Sequence, residues 1–233
     1  MTRFHLKAIT SAVLALGALT AHADTVQLNG YTYGNAEVNI SITNPLFSEA
    51  AGIGGFSTKV NGGPSFTSYC VEVTQGTAAV GFDTTPGAID STYSRLSAAS
   101  YFGGGTVATN LGKLFTIAGA AVSSADSSAA FQMAVWEILY ETTSAYNVAA
   151  GNVKFTASQT YDVNPFSLAN GWLNSINAST AVASLSVLRS TERQDLIYAG
   201  ATAPIPEPTT YALMLAGLGA LGFVARRRSN KQA

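Results

Sequence analysis

The chain ends in three physically distinct parts set in a fixed order, and these decide how much of it is left to fold. A rigid Ile205-Pro206-Glu207-Pro208 handle comes first, then an apolar run from Tyr211 to Val224, then Arg226-Arg227-Arg228. The run is about fifteen residues, short of the roughly twenty that span a bilayer comfortably. Arginines placed directly after it are expected to stay on the cytoplasmic side. The other end has a matching character. Arg3 and Lys7 precede an apolar stretch from Ala8 to Leu19, and Ala21-His22-Ala23 puts small residues at both key positions of a signal-peptide cleavage site. Residues 1–23 are therefore expected to be a signal peptide, with the secreted chain starting at Asp24. Roughly 180 residues remain, enough for a proper core.

The tail resembles the PEP-CTERM sorting signal of Gram-negative bacteria. In that system a membrane peptidase, the exosortase, recognises the Pro206-Glu207-Pro208 handle, the helix and the Arg226, Arg227 and Arg228 stop, and removes the tail. The resemblance implies export across the inner membrane, transient anchoring there, and release to the cell surface or extracellular matrix. It is an address and not an activity.

Removing both ends changes the charge. Arg3, Lys7, Arg226, Arg227, Arg228 and Lys231 are six of the 12 basic residues, whereas Glu207 alone of the 13 acidic ones is lost. The middle is mildly acidic, which argues against a nucleic-acid partner. Both histidines, His5 and His22, lie in the leader. A Ser-His-Asp triad, a Cys-His pair and a histidine-bound zinc are excluded with them. No cofactor or metal is expected, and no enzyme. Cys70 is the one cysteine. It cannot form an internal disulfide, so its thiol is buried and inert, paired with another molecule, or chemically special.

Patterning predicts an α+β fold: a mainly antiparallel β-sandwich or barrel with a central helical subdomain over residues 24–201, a Pro-rich linker over 202–208, and the sorting helix over 209–233. Val26 to Ile42 alternates apolar and polar residues in part, giving two strands. Asn44-Pro45 breaks the run. Further strands are expected at Gly55–Val60 and Ser65–Val73, separated by the turn signal Asn61-Gly62-Gly63-Pro64. Ile89, Tyr93, Leu96, Ala99 and Tyr101 recur near helical spacing, as do Leu111, Leu114, Phe115 and Ala118. Ser127 to Glu141 predicts the strongest helix, capped by Asp126 or Ser127. A short helix near Ala169–Leu173 and strands at Ala181–Leu188 and Asp195–Tyr198 complete the pattern.

Two segments, Tyr69-Cys70-Val71-Glu72 and Phe131-Gln132-Met133-Ala134-Val135-Trp136, resemble the paired motifs of the bacterial surface thioester (TQxA) domain. There a cysteine and a glutamine condense, with loss of ammonia, into an internal thioester. Carried over, the resemblance implies a bond between Cys70 and Gln132, supported by Tyr69, Glu72 and Trp136. Phe131 stands where that family has Thr or Ser. An amine or hydroxyl on a surface or matrix partner would then attack the acyl carbon and become covalently attached. The alternative is a non-reactive structural protein of biofilm or exopolysaccharide sharing the fold. Glu137 and Glu141 fall on one helix face, which reads as a solvated face and not a glycosidase pair. Asp162-Val163-Asn164 reads as a turn and not a calcium loop.

Overall fold

In a computed structural model that describes residues 23–76, 88–143, 145–200 and 215–219, the alternation of Ala36–Ile42 becomes a strand with one buried face. Ala36, Val38, Ile40 and Ile42 are buried, while Glu37, Asn39 and Ser41 are exposed. This strand, β2, follows β1 (Asp24–Tyr31) and precedes β3 (Phe47–Ile53). The two-residue period holds because a pleated strand sends successive side chains to opposite faces. Burying a branched side chain such as Ile40 contributes about 1.5–3 kcal/mol. With β3 on one side and β7 (Val153–Ala157) on the other, β2 is the middle of a three-stranded sheet. Its register places Ile40 opposite Phe155 and Ile42 opposite Val153.

The second sheet closes on itself. Strands β4 (Phe56–Val60), β5 (Phe66–Cys70), β6 (Ala88–Ser97), β8 (Leu185–Arg189) and β9 (Leu196–Ala199) join β1 in a barrel of order β1-β4-β5-β9-β8-β6. All the recorded pairings in it are antiparallel. Between β6 and β7 lie the helices α1 (Ala98–Tyr101), α2 (Gly105–Ala118) and α3 (Ala125–Tyr140), and α4 (Pro165–Ser175) follows β7. The fold is α+β, with antiparallel sheets and a helical middle.

α3 is the central helix. It packs against β2, β5, β7, α2 and α4, and every residue from Asp126 to Ile138 is buried. Such a helix is apolar nearly all round, as one enclosed on several sides must be. Its start is fixed by Ser124 and not by Asp126 or Ser127. Ser124 Oγ accepts from Ser127 N at 3.2 Å while Ser127 Oγ accepts from Ser124 N at 2.9 Å, a reciprocal capping box. Asp126 instead accepts from Val163 N at 2.8 Å and ties down the turn before α4.

The segment from Ala88 to Ser97, expected to be helical, is a strand. It pairs with β1, Val26 opposite Asp90, and with β8, Leu96 opposite Val187. Here the ladders to two neighbours override the local spacing of apolar residues. The leader and the sorting residues Pro206, Glu207, Pro208, Arg226, Arg227 and Arg228 lie outside the described residues; residues 215–219 are helical. No helix among the described residues is long and apolar enough to cross a membrane.

Candidate functional site around Cys70

Cys70 is the last residue of β5, and three parts of the chain converge on it. β9 runs beside it, with Tyr69 opposite Ile197 and Cys70 opposite Leu196. The pairing continues past the strand end, where Val71 N donates to Asp195 O at 3.0 Å. This brings Gln194, just before β9, level with the turn that follows Cys70. From the other side α3 crosses the strand end and contributes Gln132.

Tyr69 anchors the strand. Its ring lies 4.5 Å from that of Phe131 and 6.0 Å from that of Phe115, and Phe131 in turn meets Trp172 at 6.1 Å. The Phe131 position, where the resembling family has a hydroxyl residue, is thus the centre of an aromatic cluster and fully buried. The β4 start must pass close to this ring. A Cβ on Gly55 would sit 2.9 Å from Tyr69 Cε1 and 2.5 Å from Thr67 Cγ2, so a side chain there cannot be accommodated without a shift. The Gly55 N–H donates to Ser128 Oγ at 2.8 Å, which pins α3 to the barrel one turn before Gln132.

Two glutamine carboxamides reach Cys70, and they do different things. Gln132 Oε1 accepts from Cys70 N at 2.9 Å and its Nε2 donates to Cys70 O at 2.9 Å. The side chain therefore completes the ladder of a strand that has no further backbone partner on that edge, and it fixes the main chain of Cys70 on both sides. Gln194 addresses the sulfur. Cys70 Sγ donates to Gln194 Oε1 at 2.9 Å. Gln194 Nε2 donates to the Glu72 carbonyl. Its main chain is held as well, N to Gly76 O at 2.8 Å and O from the Tyr93 hydroxyl at 3.0 Å. Every polar group of Gln194 is engaged, so its carboxamide has one orientation.

Both glutamines and the cysteine are nearly removed from water, with Gln132, Cys70 and Gln194 at 1%, 5% and 7% exposure. Burial pushes the Cys70 thiol well above its ordinary range, and the negative charge of Glu72 adds to this. In the ground state the group is a thiol and not a thiolate. A cavity of about 430 Å³ between the barrel and the three-stranded sheet reaches the pair, with Tyr31, Phe47 and Trp136 among its walls and Cys70, Gln132 and Gln194 also lining it. Trp136 lies nearly parallel to Phe155, ring centres 6.3 Å apart, and its buried Nε1 has no partner among the described residues.

Tyr69, Cys70, Glu72, Gln132 and Trp136 are thus all at or near this point. Gln194 is the residue that sequence reasoning passed over. Nothing local marks it; only the pairing of β5 with β9 brings it to the sulfur. Glu137 also departs from expectation, for it is fully buried and not on a solvated face. Asp162-Val163-Asn164 is a turn, with Asn164 Oδ1 capping α4 through Phe166 N and Ser167 N, both at 3.0 Å. Among the described residues no group of three or more His, Cys, Asp or Glu could hold a metal.

No curated protein and no solved structure matches the chain. Residues 204–228 match the family model of the PEP-CTERM protein-sorting motif, and the chain accordingly carries the address of an exosortase-sorted extracellular or surface protein.

Proposed function

We propose that this is a secreted, exosortase-processed surface or matrix protein whose barrel domain attaches covalently to a partner through an internal thioester, and that the acyl half of the bond comes from Gln194. The single observation behind the choice is the 2.9 Å contact between Cys70 Sγ and Gln194 Oε1. The carboxamide carbon is one bond from that oxygen, and such a condensation proceeds only from near contact of the sulfur and that carbon, at about 3–3.5 Å. Gln132, the partner implied by motif resemblance, meets the main chain of Cys70 and not its sulfur; its part is to hold the nucleophile in place. A water-poor site slows hydrolysis of the bond once made. An amine or hydroxyl group of the partner enters through the 430 Å³ cavity, attacks the acyl carbon and releases Cys70 as a thiol.

The test is the intact mass of the purified protein before and after methylamine. The expected result is a mass about 17 Da below the sequence value, rising by about 31 Da with the amine, because the bond is a covalent modification that the sequence mass omits. Gln194→Ala and Cys70→Ala each abolish the deficit. A deficit that survives Gln194→Ala but is lost in Gln132→Ala moves the acyl group to Gln132. An unmodified wild-type mass with a titratable thiol leaves a sorted structural protein of the matrix.

A further inference from the structure

The three-stranded sheet has β3 and β7 at its edges, and the two are finished differently. At the β7 edge the chain folds back, and Phe155 N donates to Val148 O at 2.8 Å. The β3 edge has no second strand beside it. β3 pairs with β2 along its whole length without a bulge, from Phe47 opposite Ile42 to Ile53 opposite Ala36. Apart from that ladder, the Tyr31 hydroxyl donates to Gly52 O at 2.7 Å, and the main chain of 47–51 has no other partner among the described residues. Ser48, Glu49 and Ala50 in its middle are exposed, and Leu46, just before it, is 89% exposed. The unpaired N–H and C=O groups of such an edge are a template for another strand, and proteins blunt it with lysine, proline or a bulge. Phe47–Ile53 has none of these.

The same edge borders the cavity that reaches Cys70 and Gln194. Phe47, Glu49, Ala51 and Ile53 line it from β3, and Ile40 of β2 continues that wall. These four are alternate residues, so one face of the edge strand is turned to the cavity. A strand added beside β3 extends the wall and turns every second side chain to the same side. Two charged side chains line the cavity, Glu49 on this edge and Arg193 on the stretch leading into β9. A carboxylate on the cavity face of an edge strand opposes apolar strands and favours one that sets a cation across from it. Lysine is such a cation, and its amine is a nucleophile of the kind the acyl carbon needs.

We propose that the partner is a polypeptide, that it docks as an added strand on the β3 edge, and that a lysine opposite Glu49 enters the cavity and becomes the linked residue. The link rests on the thioester reading, the docking on the edge alone. An extended polypeptide offers N–H and C=O groups at the strand repeat, and a polysaccharide does not, so the edge selects a protein segment. Main-chain pairing supplies affinity with little regard to sequence, and the cavity-facing position chooses the side chain. In the linking step lysine Nζ attacks the acyl carbon, Cδ of Gln194; a C–N bond forms and the C–S bond breaks. The proton leaving the nitrogen goes to the Cys70 sulfur. The products are an isopeptide bond and a free thiol, with no co-reactant.

Two readouts keep the link and the docking apart. The probe is the capped peptide Thr-Val-Thr-Lys-Thr-Val-Thr, in which lysine carries the only amine. Its control is the same peptide with every residue except lysine N-methylated, which keeps the amine and removes the row of main-chain donors. Linkage to wild-type protein, followed by intact mass, is expected to be about 100-fold faster with the peptide than with the control, because docking holds the amine at a high effective concentration. Glu49→Lys is expected to lower the peptide rate relative to the methylamine rate about 10-fold. Equal rates with the two peptides, or an unchanged ratio in Glu49→Lys, overturn the docking. In Cys70→Ala, which makes no link, saturating peptide is expected to slow exchange of the outward amide hydrogens of β3 about 10-fold. Unchanged exchange overturns the docking, and so does slowing that comes without peptide as protein concentration rises, which gives the edge to a second copy of the chain. A wild-type protein without the mass deficit of about 17 Da, but with β3 protected by peptide in Cys70→Ala, overturns the link and supports the docking.

Discussion

Cys70 and Gln132 show how one side chain can substitute for a strand. β5 ends at Cys70, and the N–H and C=O there meet the two ends of a single carboxamide, each at 2.9 Å. Leaving a buried main-chain group unpaired costs about 1–3 kcal/mol. Gln132→Met keeps the volume and removes both bonds, so it is expected to lower unfolding stability by about 2–4 kcal/mol in a denaturant titration. It should also reduce the methylamine-reactive fraction, because the sulfur is no longer aimed. A variant with wild-type stability would mean that solvent reaches these groups and the clamp is superfluous. The contrast with Gln194 explains what a sequence can reveal at this scale. Cys70 stands out because there is one cysteine, and Gln132 because Phe131-Gln132-Met133-Ala134-Val135-Trp136 resembles the second motif of the thioester domain. Gln194 is 124 positions from its sulfur partner and sits in an ordinary polar turn, so its role exists only once β5 and β9 have paired.

At the level of elements, α3 carries Gln132 and Trp136 to the site, and its first turn depends on the Ser124–Ser127 capping box. Ser127 Oγ takes a second main-chain donor as well, Ser123 N at 3.0 Å. Removal of such a cap costs about 1 kcal/mol, within a range of 0.5–2. Ser124→Ala is expected to lower the denaturation midpoint accordingly, and Ser124→Asp to restore most of it. Equal midpoints for wild type and Ser124→Ala would show that packing alone holds the helix start. β2 was legible because it buries one face at a period of two, and α3 because Ala125–Tyr140 is a long run without glycine or proline, of helix length, although it is buried all round. β6 was not. Its apolar residues happen to recur at helical spacing, and the ladders that decide its conformation come from β1 and β8, distant in sequence on both sides. β3 escaped because Phe47–Ile53 buries one residue fully, Ile53, and so carries little apolar alternation; β7 is only five residues long and alternates over Val153, Lys154 and Phe155 alone.

Across the whole molecule, Glu137 links the layers at a cost that depends on pH. It lies on α3, fully buried, and its Oε1 accepts from Asn147 N at 2.7 Å, tying the helix to the segment that leads into β7. Oε2 has no partner among the described residues. Burial pushes its carboxyl up from 4.5 to about 7, against the hydrogen bond from Asn147 and with help from the charge of Glu141. A folded-state value above the unfolded one means that the native state binds the extra proton between those limits. Stability from this group is therefore fully present below about pH 4.5 and is lost as pH rises through about 7, with a slope approaching 1.4 kcal/mol per pH unit. Glu72 and Asp195 are raised as well and contribute in the same direction. Glu141 is lowered: burial pushes it up, but hydrogen bonds from Asn152, Thr142 and Thr143 outweigh that, so its contribution is lost only in acid. Comparing wild type with Glu137→Gln cancels these other groups. The glutamine retains the Oε1 acceptor for Asn147 and carries no charge at any pH. The variant should match wild type near pH 4, exceed it in Tm near pH 8, and show a flatter Tm–pH curve in between. Parallel curves would mean that Glu137 remains ionised in the core throughout, and that a water or cation meets Oε2.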